Sequence, residues 1–127
     1  MAVVVDASVI GAIAFGEPDG HTLVAHLMGE SLLAPSLLDY ELASIAWKKT
    51  RAHPEFAPHI QAALAAAGQM SIRRVPVPPV DLLRLARDTG LTTYDAAYLW
   101  VAHTHDAELV TLDRALAEAA ARAARRD

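Results

Sequence analysis

The chain has 127 residues, no cysteine, 54% hydrophobic residues and a formal net charge of −4. This length suits one domain, long enough to bury a core without disulfides or a structural metal. The missing cysteines exclude thiolate zinc sites, cysteine nucleophiles and disulfide scaffolds, and suit a reducing, cytoplasmic compartment. A pI of about 5.8 argues against holding nucleic acid by bulk charge, so a polyanionic partner would need a cation or a local basic patch. Mean hydropathy is +0.24, raised by alanine, yet no run of about 18 apolar residues is free of charge or proline, so no membrane span is expected. Met1–Val5 meets Asp6 at once and has no basic region before it, so it does not read as a signal peptide.

The elements follow in chain order. Ala2–Val5 is a short apolar, β-branched run that predicts a buried parallel strand. Helical sequence runs from Ala7 to about Phe15 and breaks at Gly16-Glu17-Pro18-Asp19-Gly20. A second helix is predicted from about Gly20 to Met28, then a strand and turn over Ser31–Pro35. Ser36, with Asp39 three residues on, gives a capping-box start for a helix reaching about Arg51. His53-Pro54 separates it from an alanine-rich helix, about Glu55–Ala67. Ile72–Val77 predicts a strand closed by Pro78-Pro79, and Val80–Thr89 a helix stopped at Gly90. Thr92 and Asp95 repeat the capping-box pattern and open a helix to about His105. Glu108–Leu112 predicts a strand, and Asp113 begins a last helix whose Arg122, Arg125 and Arg126 suit a negative helix C-terminus. Strands alternating with helices imply an α/β fold with a parallel sheet and helices on both faces.

Four acids occupy positions with chemical consequences. Asp6 and Asp113 each follow an apolar strand, and in open α/β sheets ligands bind at the carboxyl ends of strands. Helix capping alone also explains either aspartate. Glu41 has Leu37, Leu38 and Ile45 as helical neighbours, so its carboxylate lies in the apolar stripe unless it reaches out to water. Asp95 opens the nearly all-apolar stretch Ala96–Ala102, where it could serve only as part of the cap with Thr92. Together the four could meet in one crevice. Their mutual repulsion would then call for a divalent cation, and oxygen-only ligands select Mg2+ or Mn2+.

Cations that could meet a phosphate backbone are Lys48, Lys49 and Arg51 near the end of the Glu41 helix, Arg73-Arg74, and Arg114 beside Asp113; each is equally a plain surface charge. The six histidines show no HExxH spacing, and the chain carries no P-loop, GxGxxG or Gly-x-Ser-x-Gly elbow. Trp47 and Trp100 read as core or interface residues. A phosphoacceptor receiver domain is a competing α/β reading, but the middle strand ends in Pro76-Val77-Pro78 rather than an acceptor aspartate.

Four segments also resemble a known family. Val3-Val4-Val5-Asp6-Ala7-Ser8-Val9-Ile10 is similar to the first strand of PIN domains, in particular bacterial VapC-like toxins. Leu38–Ala43 resembles their acid-bearing helix, Thr92–Tyr98 their third motif and Leu109–Asp113 their fourth, in the family's order and over nearly the whole chain. The resemblance implies a single three-layer α/β/α PIN-like domain over residues 1–127, with a short central parallel sheet of four or five strands. It implies an endoribonuclease that uses Mg2+ or Mn2+ and leaves a 5′-phosphate and a 3′-hydroxyl. It implies the toxin half of a toxin–antitoxin pair, a homodimer, and a small VapB-like antitoxin as partner. Asp6, Glu41, Asp95 and Asp113 would form the catalytic, metal-holding site, with Ser8 and Thr111 as supporting hydroxyls and Lys48, Lys49 and Arg114 against RNA. A non-catalytic PIN-like module binding RNA or protein is the alternative. Relatives continue into a further edge strand, whereas this sequence ends at Asp127, so the expectation is either a sheet one strand short or a truncated chain.

Overall fold

The computed structural model describes the backbone of residues 1–126 and the side chains of residues 1–123. The chain forms β1 (Ala2–Val5), α1 (Ala7–Ala14), α2 (Gly20–Leu27), β2 (Ser31–Pro35), α3 (Leu38–Ala52), a 3-10 turn (Pro54–Phe56), α4 (Ala57–Gly68), β3 (Ile72–Val75), α5 (Pro79–Thr89), α6 (Thr93–Thr104), β4 (Glu108–Val110) and α7 (Arg114–Arg126). The sheet has four strands, all parallel, in the order β3-β2-β1-β4. β1 is central, with Val4 opposite Leu33 of β2 on one side and Leu109 of β4 on the other. Val3, Val4 and Val5 are all buried, as a strand covered on both faces requires. α6 packs across β1 and β2 and is flanked by α5 and α7, while α1 gathers α2, α3 and α4.

Local chemistry sets the element ends. Thr92 caps α6, its Oγ1 accepting the Asp95 N–H at 3.1 Å. Gly90 ends α5 in the left-handed region at φ 75°, donating its N–H to Ala86. The expected Ser36–Asp39 capping box does not form. α3 starts at Leu38 without a side-chain cap, and the Asp39 carboxylate instead receives the two-armed guanidinium of Arg74 on β3, Nη2–Oδ1 2.7 Å and Nε–Oδ2 3.1 Å. A charge-assisted fork outcompetes a single backbone N–H for that carboxylate. Two predicted strands are shorter than expected, β3 ending at Val75 and β4 at Val110. After Val110 the chain leaves the ladder because Thr111 and Leu112 bond to Asp6 and Ser8 instead. Trp100 is half-buried, whereas Trp47 is 59% exposed. Arg122 is exposed on α7; the expected roles of Arg125 and Arg126 lie outside the described side chains.

Of the six glycines, Gly20 has the least room for a side chain. A Cβ there would stand 2.9 Å from the Ala12 carbonyl oxygen, a backbone atom that cannot rotate away. Gly20→Ala should therefore destabilise the protein by about 1–3 kcal/mol, read as a lower urea midpoint at unchanged slope.

Candidate active site

The parallel order aims the C-terminal ends of β1 and β4 at one edge of the sheet, and α3 and α6 begin beside that edge. A cavity of about 260 Å³ there is lined by Asp6 after β1, Glu41 in the first turn of α3, Asp95 in the first turn of α6 and Asp113 before α7. All four predicted acids thus share one crevice. A larger cavity of about 550 Å³ beside β4, α6 and α7 is lined by a mixture of alanine, other apolar residues and polar residues such as His26 and Glu108, and contains none of the four.

Asp6 is the buried member, 6% exposed. Its Oδ1 accepts the Val9 N–H at 3.1 Å, capping α1, and the Ser8 hydroxyl at 2.6 Å. Its Oδ2 accepts the Thr111 hydroxyl. Each hydroxyl also accepts a backbone N–H from the turn after β4, Leu112 to Ser8 Oγ at 3.0 Å and Asp113 to Thr111 Oγ1 at 2.9 Å. Asp113 in turn accepts the Leu116 N–H at 3.0 Å and caps α7. The two aspartates are therefore helix caps as well as crevice walls.

Glu41 and Asp95 are half-buried and less tightly held. Burial pushes Glu41 above the ordinary carboxylate value of 4.5; the Tyr98 hydrogen bond partly offsets this, and the charges of Asp95 and Asp6 add to the rise. Asp95 is also pushed up, by burial first and then by Asp113 and Asp6. Asp95's carboxylate accepts no hydrogen bond among the described residues. Tyr98, fully buried, donates its hydroxyl to Glu41 Oε1 at 2.6 Å, and its own ionisation is strongly suppressed by burial and by that carboxylate. Among the described residues no three acidic or histidine side chains form a ready cage for a metal ion. The acidic oxygen donors lining the crevice are the carboxylates of Asp6, Glu41, Asp95 and Asp113.

The other expected residues divide. Ser8 and Thr111 belong to the site through Asp6. Lys48 lines the crevice, one helical face on from Glu41. Lys49 does not line it; it pairs with Glu17 at 2.8 Å and lies over the Phe15 ring. Arg51 stacks on Trp47, Arg74 serves Asp39, and Arg114 is exposed at the start of α7 outside the crevice lining. Sequence reasoning passed over Tyr98, which it placed in the apolar body of α6. The available signal was its position three residues after Asp95, one turn along the same helical face.

Comparison with known proteins agrees with this architecture. The PIN domain family matches residues 3–122. Over 92 residues the chain is 36% identical to exonuclease VapC9 of Pyrobaculum aerophilum, an alignment covering 68% of this chain and 65% of that protein, so it spans just under two thirds of the relative's length. The crystal structure of PAE2754 from Pyrobaculum aerophilum superposes with a TM-score of 0.76 at 28% identity, covering 99% of this chain and 94% of the other. The chain belongs to the PIN domain family. Within it, the resemblance is to VapC-like proteins.

A folded-state pKa above the unfolded one means that ionising Glu41 costs stability. The favourable contribution is complete below the unfolded value of 4.5 and is lost as pH rises through the folded value. Metal-free Glu41→Gln, which keeps an acceptor for Tyr98, should therefore melt above the wild type at pH 7, and the gap should close below about pH 4. Thermal melts followed by circular dichroism across that range check it.

Proposed function

We propose that this chain is an Mg2+- or Mn2+-dependent PIN-domain endoribonuclease and the toxin half of a toxin–antitoxin pair, with Asp6, Glu41, Asp95 and Asp113 as the catalytic, cation-holding set. The observation that carries this reading is the meeting of the four carboxylates in one crevice at the strand ends, two of them with raised pKa values. The donor set fits a hard divalent ion by chemistry: every ligand atom is oxygen, and an ion such as Mg2+ keeps several waters and needs few direct carboxylates. When bound, such an ion supplies neutralisation of the scissile phosphate and acidification of water near neutral pH.

The residues divide the remaining work. Asp6, fixed by three donors, is the rigid wall of the site. Ser8 and Thr111 hold it in place. Asp95, with no hydrogen bond on its carboxylate among the described residues, accepts the proton of the attacking water, with Glu41 beside it as the second candidate base. Lys48 at the rim meets a phosphate of the RNA; Lys49 would have to leave Glu17 to help, and Arg114 would reach in from the exposed start of α7. The VapC likeness supports a small VapB-like antitoxin as protein partner and a homodimer as the working form. No helix among the described residues is long and apolar enough to cross a membrane.

The relative VapC9 is named an exonuclease, which makes trimming from an end the second reading. A circular RNA separates the two. The endonuclease opens it with Mn2+ and not with EDTA. Trimming of linear RNA alone supports the exonuclease, and no cleavage of either supports a non-catalytic module. Asp95→Asn should lower cleavage at least about 100-fold without lowering the melting temperature at pH 7, because no hydrogen bond among the described residues is lost and a carboxylate whose ionisation is disfavoured is removed. Lys48→Ala should weaken RNA binding and reduce the slope of log affinity against log salt by about one, measured by fluorescence anisotropy.

A further inference from the structure

We propose that Tyr98 is a positioning residue that fixes the Glu41 carboxylate for cation binding, an inference that rests on the nuclease reading above. Glu41 and Tyr98 are 57 residues apart in sequence, yet the phenol donates to Oε1 at 2.6 Å. The donor is immobile: Tyr98 is 1% exposed, held in the buried stretch of α6 that packs on β1 and β2. The acceptor is not. Glu41 lies in the first turn of α3, half-buried at the crevice, with three side-chain torsions and no other hydrogen bond to its carboxylate among the described residues.

A buried apolar helix normally fills this position with Leu or Phe, because a tyrosine hydroxyl in the interior must find a partner. Here, among the described residues, the side-chain partner is a carboxylate of the crevice, and the backbone of Ala7, next to Asp6, also bonds the phenol. Asp95 lies three residues earlier on α6, so one helical face brings to the crevice both a carboxylate and the donor that orients a second one. The bond commits Oε1 and leaves Oε2 for what the crevice binds. Without it, Glu41 would sample its rotamers, and cation binding would have to order the side chain afresh.

Tyr98→Phe removes the hydroxyl and keeps the ring. Isothermal titration with Mn2+ alone should show affinity reduced about tenfold, the scale expected when a partner of a ligating group is lost. RNA cleavage should fall at low Mn2+ and recover toward wild type at saturating Mn2+. Adding Tyr98→Phe to Glu41→Gln should cost no further Mn2+ affinity, because the hydroxyl acts only through the glutamate. Wild-type Mn2+ affinity in Tyr98→Phe, or equal losses in the two backgrounds, would overturn the proposal even if the variant also melts lower. If the wild type itself takes up no Mn2+ and cuts no RNA, the nuclease reading fails and the proposal fails with it.

Discussion

One buried carboxylate joins the parts of this molecule that have to meet. Asp6 ends the central strand, caps α1 through the Val9 N–H, and receives the hydroxyls of Ser8 and Thr111. Those hydroxyls accept N–H groups from the turn that carries Asp113. Burying an ionised group costs several kcal/mol unless hydrogen bonds replace its water. Here three donors do so, and their geometry locks β1, α1 and the β4–α7 turn together. The same bonds explain why β4 is only three residues long: Thr111 and Leu112 are needed for Asp6 and Ser8 and cannot continue the ladder.

Around that fixed point the crevice is electrostatically unfavourable as it stands. Glu41 is raised by burial and by Asp95 and Asp6, Asp95 by burial and by Asp113 and Asp6, and among the described residues Lys48 is the one cation in the lining. Folding tolerates this because the sheet and α6 bury a large apolar core whose stabilisation far exceeds the repulsion of a few half-exposed charges. A site that is less stable empty than filled is a common property of functional centres. In this chain the two acids pushed up, Glu41 and Asp95, are also the ones that carry the least hydrogen bonding among the described residues.

The acidic balance of the chain fits the same picture. A net charge of −4 gives no general attraction for a polyanion, so the proposed binding of RNA would have to be local. The second half of α3 supplies Lys48, Lys49 and Arg51, but tertiary contacts divide them: Glu17 takes Lys49, Trp47 takes Arg51, and Lys48 alone lines the crevice.

The sequence by itself determined the alternation of strands and helices, the stop at Gly90, the Thr92 cap and the identity of the four crevice acids. These signals are local or periodic: a β-branched run, a glycine able to take positive φ, a carboxylate in an apolar stripe. Tertiary structure decided what depends on partners distant in the chain. Ser36 and Asp39 carry a capping-box pattern, yet Arg74, 35 residues from Asp39, takes the carboxylate. Glu108–Leu112 reads as a strand, yet Asp6 and Ser8, about a hundred residues earlier, draw its end away. Tyr98 reads as core and is core, but its hydroxyl finds Glu41 only when the fold brings α3 and α6 to the same crevice. A hydrogen-bonding group has several local choices of similar energy, and only the folded geometry selects among them.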